Sequence, residues 1–467
     1  ISQKWRAARR ARPLALCPRP PPLHPSAVST GTVSTGPVMM AGLDELPNEL
    51  LLKIFSLVDG ATLARSARVC RRWRDVVDSI LEHGQTIWKM LCADEIDAEV
   101  VGELQGHVPE RIFGDGSRST DWFKLYKRWH FSKVLAGHTP RTHAYKVDHQ
   151  DPVTCVKASR MFVVTGHSDG TVCFWHACTG AMLRVLPSHQ ASVTDLVLVE
   201  FRSRGPYGDS PYLSDHHHVV SCSADMSVCP VPLSPYEPVA DAKVHFGLAI
   251  LSVRASGSHL AVLTKHNYIY MYKMWINDNG HLEMSASSRF STGMGPTSWL
   301  GFWENTVRHV GVNRLLTTVD VCSDSLRSAS LKSLSSGDGD PVTLVNVCIQ
   351  RKSTLIALSV FQELYVSVDD GDHFVCYPLA TLCPARVTSL ALHGSLLALG
   401  LECGWLNVYS VPAPTDLLQL DLAHPTWSKR LGIGSIISVD LTHGNLSKPV
   451  VVACSSRRIF AVEWWGV

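Results

Sequence analysis

Between Leu43 and Leu81 the apolar residues recur at helical spacing. Leu50, Leu51, Ile54, Phe55 and Val58 fall at i, i+1, i+4, i+5 and i+8, one face of an α-helix. Pro47 suits the first helical turn, and Asp44 and Glu45 put negative charge near its positive end. Asp59-Gly60 predicts a stop, and Ala61 to Arg68 a short second helix. Trp73, Val76, Val77, Ile80 and Leu81 mark a third, whose other side carries Arg71, Arg72 and Asp75. Three helices this short bury only a small core, so such a unit gains from a partner. Leu46, Leu57 and Val69 fall outside the stripe that each helix needs for its own bundle. Surplus apolar surface rimmed by charge predicts a docking face.

Residues 93–120 are acidic and then rich in glycine (Gly102, Gly106, Gly114, Gly116), the composition of a surface connection. Trp122, Leu125, Tyr126 and Trp129 then repeat at i, i+3, i+4 and i+7. They predict a short amphipathic helix packed on the helical module or on the underside of the next domain. After residue 131 the helical period gives way to short apolar runs separated by Gly, Asp, Ser and His turns. His149 to Trp175 reads as strand, turn, strand, tight Asp-Gly turn and a strand ending in Trp. A second unit starts at His189 and resumes at Val219 after an insertion over about 201–218. Two later units keep the offset from turn residue to aromatic, His266 to Tyr272 and Cys403 to Tyr409. Repetition at this period predicts a β-propeller. The strand clusters place seven blades at about 150–180, 190–233, 245–275, 295–322, 340–380, 386–412 and 432–467. Residues 132–147 would supply the outer strand that closes the last blade and removes a free sheet edge.

The helical module carries L-P-x-E-L, I-F-S-x-V-D and V-C-R-x-W at set offsets, followed by Ile87-Trp88. Over residues 43–92 it resembles an F-box. The resemblance implies docking to the Skp-type adaptor of a cullin–RING ubiquitin ligase. Leu46 and Pro47 would open that contact and Leu50, Ile54, Phe55 and Leu57 continue it, with Val69, Cys70 and Trp73 closing the bundle or touching the partner. Ile-Trp stands where the family has Leu-Trp, and Glu82–Thr86 lengthens the gap before it. The His149–Trp175 unit resembles a WD repeat, with His149, Thr165, Asp169 and Trp175 at the positions of that family's buried hydrogen-bond relay. In that relay Asp169 would accept from its turn and from His149. His176 stands in place of the usual Asp after Trp175, and in the second unit Asp225 matches Asp169 while Val231 replaces the Trp. F-box first and propeller second resembles the F-box/WD-repeat substrate receptors of Skp–cullin–F-box ligases. The resemblance implies a non-catalytic subunit that brings a protein substrate near a charged ubiquitin-conjugating enzyme. The rival reading is a WD-repeat scaffold whose helical module packs internally; exposure of Leu46, Leu50 and Ile54 separates the two.

Composition adds limits. The 467 residues, 45% hydrophobic and 18% charged, suit one small and one large folded unit. The expected order is a disordered basic, Pro-rich tail over 1–42, the F-box over 43–92, a linker over 93–131 and the propeller over 132–467. The tail holds Arg6, Arg9, Arg10, Arg12 and Arg19 without an acid, as transit segments do, but Pro18, Pro20, Pro21, Pro22 and Pro25 interrupt any amphipathic helix. A net charge of +2 gives no argument for nucleic acid, and no apolar run reaches bilayer-spanning length. Neither nucleic acid nor membrane is an expected partner. The 14 scattered cysteines read as reduced thiols, hence a cytoplasmic or nuclear protein. Cys173, His176, Cys178 and His167 approach a metal spacing, yet Cys173 and Trp175 share a strand face and need no metal; no cofactor or metal is expected. The His216–His218 run reads as a solvated loop. No phosphate loop, nucleophile elbow, zinc-protease or kinase motif occurs. Arg160, Arg184, Arg254 and Arg386 are candidate phosphate readers, and the Ser-rich stretch Thr317–Asp340 is a candidate phosphorylation target.

Overall fold

The computed structural model describes residues 46–83, 85–105, 121–147, 151–159, 161–204, 213–233, 243–266, 268–277, 279–291, 297–303, 305–311, 315–321, 325–330, 344–348, 351, 353–444 and 448–465. The basic tail, His149, Arg160 and most of the Ser-rich stretch lie outside them. The chain divides into two compact units, Ile1–Leu50 and Leu51–Val467. Described residues of the first are the entry to helix α1 (Asn48–Phe55).

In the second unit α1 ends and α2 (Gly60–Ser66), α3 (Arg71–His83), α4 (Gln85–Glu95), α5 (Ala98–Gln105) and α6 (Trp122–Lys133) follow. The Asp59-Gly60 stop is also the next helix's start. The Asp59 carboxylate accepts from Thr62 N at 2.8 Å and Thr62 Oγ1 at 2.7 Å, satisfying an orphan donor of α2. Gly60 is buried where a Cβ would come 2.5 Å from Cζ of Tyr126, whose hydroxyl donates to Glu95 at 2.7 Å. Only a residue without a side chain lets α2 and α6 meet there. Trp88, which opens the last turns of the module, is 1% exposed and packs 4.8 Å from the ring of Phe123.

The rest is a seven-bladed propeller of four-stranded antiparallel sheets. Its strands are β1 (Thr139–Tyr145), then β2 (Val153–Ala158), β3 (Phe162–His167), β4 (Thr171–His176) and β5 (Met182–Pro187) in blade 1. Blade 2 holds β6 (Val193–Arg204), β7 (Leu213–Ser223), β8 (Ser227–Pro232) and β9 (Val244–His245). Blade 3 holds β10 (Ile250–Ser256), β11 (His259–Thr264), β12 (Tyr268–Ile276) and β13 (Leu282–Ser291). Blade 4 holds β14 (Thr297–Trp303), β15 (Thr306–Gly311), β16 (Leu315–Asp320) and β17 (Ser325–Ser330). Blade 5 holds β18 (Leu344–Cys348), β19 (Leu355–Ser359), β20 (Glu363–Ser367) and β21 (Val375–Pro378). Blade 6 holds β22 (Val387–His393), β23 (Leu396–Leu401), β24 (Trp405–Ser410) and β25 (Trp427–Arg430). In blade 7, β26 (Ser438–His443), β27 (Pro449–Ser455) and β28 (Arg458–Trp465) are completed by β1, paired antiparallel from Thr139↔Trp465 to Tyr145↔Ile459. The first strand thus closes the last blade, as its sequence suggested. Several blades run longer than their sequence limits, because outer strands such as β13 and β25 bury at most one residue and lack an apolar signal.

Blades pack through alternating strand residues. Cys173 and Trp175 face blade 7, whereas Val172 and Phe174 face blade 2. Where Thr154, Thr194 and Thr388 interrupt the register of the innermost strands, each hydroxyl bonds a carbonyl of its own blade and one at the start of the next. These threonines fasten successive blades.

Antiparallel order gives the propeller two faces. The turns joining first to second and third to fourth strands make the lower face; the turns joining second to third strands, and the connectors between blades, make the upper. The connection expected to be loop between 93 and 120 contains α5, which docks on the lower face. Glu103 is 8% exposed and accepts from Arg351 Nε at 2.9 Å, Gly394 N at 3.0 Å and His393 Nδ1 at 3.0 Å. Arg351, 0% exposed, also donates to the Gly394 carbonyl. Glu99 accepts from Ser353 N at 2.8 Å, and from α6 the Trp129 indole donates to Pro412 O at 3.2 Å. Burial opposes the charge of Glu103, but Arg351 and His393 outweigh it and hold its pKa below the ordinary carboxylate value.

Candidate functional site

The apolar residues of the helical module separate into two sets. Leu51 (0% exposed), Phe55 (2%), Leu63 (0%) and Val77 (1%) form the core of the helical module, with the Phe55 ring edge-on to Trp73 at 5.1 Å. Leu50 (47%), Ile54 (40%), Leu57 (81%) and Val69 (64%) are open to water. Pro47 is exposed and Leu46 half-buried. A helix stripe accounts for the first set; no described residue covers the second. Phe55, grouped by motif with the contact residues, lies inside. Cys70 is half-buried at the start of α3, where its Sγ accepts from Trp73 N at 3.4 Å. It acts as an N-cap in place of the usual hydroxyl or carboxylate. Trp73 is half-buried, and its indole Nε1 has no hydrogen-bond partner among the described residues. Arg68 and Arg71, both exposed, flank Val69 and Cys70 and give this edge a cationic rim.

In blade 1, Trp175 Nε1 donates to Thr165 Oγ1 at 3.0 Å, and Thr165 Oγ1 lies 3.0 Å from His167 Nε2. His167 Nδ1 lies 3.1 Å from the Asp151 carbonyl, which can only accept. The proton therefore sits on Nδ1, and Nε2 accepts from Thr165, so a neutral imidazole satisfies each member. Asp169 accepts from Thr171 N at 3.0 Å and Thr171 Oγ1 at 2.8 Å, holding the turn before β4. His167, weighed in the sequence as a metal ligand, is thus part of a buried structural relay. Blade 2 has a parallel set. His189 bonds Ser221 Oγ and Ser227 Oγ, both at 2.8 Å, and its Nδ1 lies 3.3 Å from Asp225. Asp225 also accepts from Gln190 N at 2.8 Å and pairs with Lys243 at 3.2 Å. Ser221, Ser227 and Lys243 carry no role in the sequence reading; the serine-flanked turn S-C-S-A-D-M-S signals the two serines, and nothing local signals Lys243.

Among the described residues no cluster of three or more His, Cys, Asp or Glu side chains could hold a metal. Burial pushes the Cys155 and Cys173 thiols up to about 12, the chemistry of inert core residues. No described helix is long and apolar enough to cross a membrane. The three described candidate phosphate readers stand on different elements. Arg254 is ion-paired with Asp195 of the neighbouring blade, Arg184 stands on the outer strand β5, and Arg386 is exposed at the start of β22.

Residues 43–93 match the F-box-like family model. F-box/WD repeat-containing protein 7 of Drosophila melanogaster is 31% identical over 153 residues, 32% of this chain and 11% of that protein. Cell division control protein 4 of Candida albicans is 26% identical over 160 residues, covering 32% of this chain and 22% of its own length. The probable E3 ubiquitin ligase complex SCF subunit sconB of Arthroderma otae is 24% identical over 173 residues, covering 30% and 23%. Each match spans less than a quarter of the relative's own length.

Proposed function

We propose, from the chain's membership of the F-box/WD-repeat family, that it is the substrate-recognition subunit of a Skp–cullin–F-box ubiquitin ligase. The helical module binds a Skp-type adaptor, and the propeller binds a protein substrate. The observation that carries this reading is the exposure of Ile54, Leu57 and Val69 in the same unit as the buried Leu51, Phe55 and Leu63. A module that packed only on itself would cover the first set. Water-exposed leucine, isoleucine and valine on a small bundle favour a partner over the scaffold reading, and the arginines beside Val69 favour an anionic one.

The chemistry asked of the chain is positional. Ubiquitin transfer needs a substrate lysine held near a charged conjugating enzyme, so the receptor supplies effective concentration and no covalent step. That requires a stiff connection within the receptor. The Glu103–Arg351–Gly394–His393 network, the Glu99–Ser353 bond and the Trp129–Pro412 bond tie α5 and α6 to the lower face at separate points. Affinity purification of the full chain under a block of cullin neddylation tests the proposal. A Skp-type adaptor and a cullin co-purify, bound substrates accumulate under the block, and Ile54→Asp removes the ligase subunits. Absence of adaptor from the wild-type eluate would sink it.

A further inference from the structure

The face opposite the helices is apolar where blades 5, 6 and 7 meet. Phe361, in the turn between β19 and β20, is 68% exposed; Ile433, in the connector from blade 6 to blade 7, is 90% exposed; Ile437, just before β26, is 39% exposed. Hydrogen bonds place these turns side by side. Gln362 clasps Val387 of blade 6 through Nε2 to O at 3.3 Å and N to Oε1 at 2.6 Å. Leu431 N donates to Gly404 O at 2.9 Å, and Ile437 N to Cys454 O at 2.8 Å. Exposed Arg386, Arg430 and Arg457 stand in the same upper turns. Glu402 is the exposed acid among the described residues of these turns.

We propose that this surface is the substrate-docking site and takes an extended, unphosphorylated protein segment in which bulky apolar side chains alternate with carboxylates. The proposal rests on the receptor reading above. Phe361, Ile433 and Ile437 supply apolar anchors, and the arginine excess supplies complementary charge and steering. A phosphate reader would need guanidinium groups converging on one point. Here the arginines come from separate places, before β22, at the end of β25 and in the β27–β28 turn, and Arg430 Nε already donates to Gly432 O at 3.2 Å. Dispersed cations suit dispersed carboxylates.

The test is selection of an unphosphorylated short-peptide display library on the purified full chain, followed by titration of the enriched peptides. Expected peptides pair acidic with bulky apolar residues. Ile433→Asp, Phe361→Asp and the double change Arg430→Glu/Arg457→Glu each weaken them at least about tenfold, whereas Ile54→Asp leaves them unchanged. These positions are exposed, so unaltered melting of each variant confirms an intact fold. Enriched peptides without that composition, or affinities indifferent to Ile433→Asp, overturn the proposal. So does binding that appears only after Ser or Thr phosphorylation, to anionic phosphatidylserine vesicles in place of peptides, or to a second copy of the chain by sedimentation. Because adaptor binding is read with Ile54→Asp and peptide binding with Ile433→Asp, failure of one claim is distinguishable from failure of the other.

Discussion

Replacing Glu103 by leucine should loosen the helical module from the propeller more than any surface change. The carboxylate sits between Arg351, 0% exposed, the Gly394 amide and His393, at 2.9, 3.0 and 3.0 Å. Without it, the Arg351 guanidinium stays buried with one acceptor, the Gly394 carbonyl, and Nη1 already lacks a partner among the described residues. Removing one member of a buried pair costs about 3–5 kcal/mol, because the other charge is left uncompensated. In a unit this large each kcal/mol moves the midpoint by roughly 2 °C, so the transition should fall by about 6–10 °C. Scanning calorimetry and urea titration both read this. The double change Glu103→Leu/Arg351→Leu removes both charges and leaves apolar groups that pack, so it should recover at least half of the loss. A single-mutant cost below about 1 kcal/mol, or a double mutant less stable than either single, would show that the network does not hold α5 to the lower face.

Three further outcomes follow from other parts of the molecule. Gly60→Ala drives a methyl to 2.5 Å from a tyrosine ring tethered to Glu95, and urea unfolding should show a loss of about 1–3 kcal/mol. Trp175→Phe leaves the buried Thr165 hydroxyl without its indole donor, at a cost of about 1–3 kcal/mol by the same measurement, while Trp427→Phe, half-buried on β25, should cost less. Burial holds His309 down at about 4, and burial with the nearby charges of His393 and Arg128 holds His443 well below its ordinary value. Both bind protons better unfolded than folded, so their contribution is full above about pH 6.5 and is lost as pH falls below it. Glu103 acts with the same sign in a lower window, its contribution fading as pH drops below the unfolded carboxylate value near 4.3. Melting midpoints between pH 7.5 and 5 should decline accordingly, and a flat profile there would contradict the neutral burial of the two histidines.

What could be read in the sequence was whatever repeats or caps locally. The surplus of Leu57 and Val69 over one helical stripe is visible in the chain and reappears as exposed surface. The blade period and the closing role of the segment before Lys146 were equally legible, since each depends on strand spacing. The blade-fastening threonines were legible but unread, in the recurring Val-Thr of Val153-Thr154, Val193-Thr194 and Val387-Thr388. The docking of α5 was not legible. Its glycine and acids look like a surface connection, yet Gly102 lies against Trp303, with its Cβ position 3.6 Å from that ring, and Glu103 meets an arginine 248 positions away. No local pattern announces a contact between groups so distant in the chain. Phe55 shows the complementary limit: motif position groups it with Ile54, and only packing against Trp73 puts it inside.

Calorimetric titration of the purified full chain with a recombinant Skp-type adaptor measures the central claim most directly. The expected result is a one-to-one complex for the wild type, lost in Ile54→Asp and Leu57→Asp but intact in Ile433→Asp. No heat of association with the wild-type chain, or equal affinity for the Ile54→Asp variant, would contradict the receptor reading.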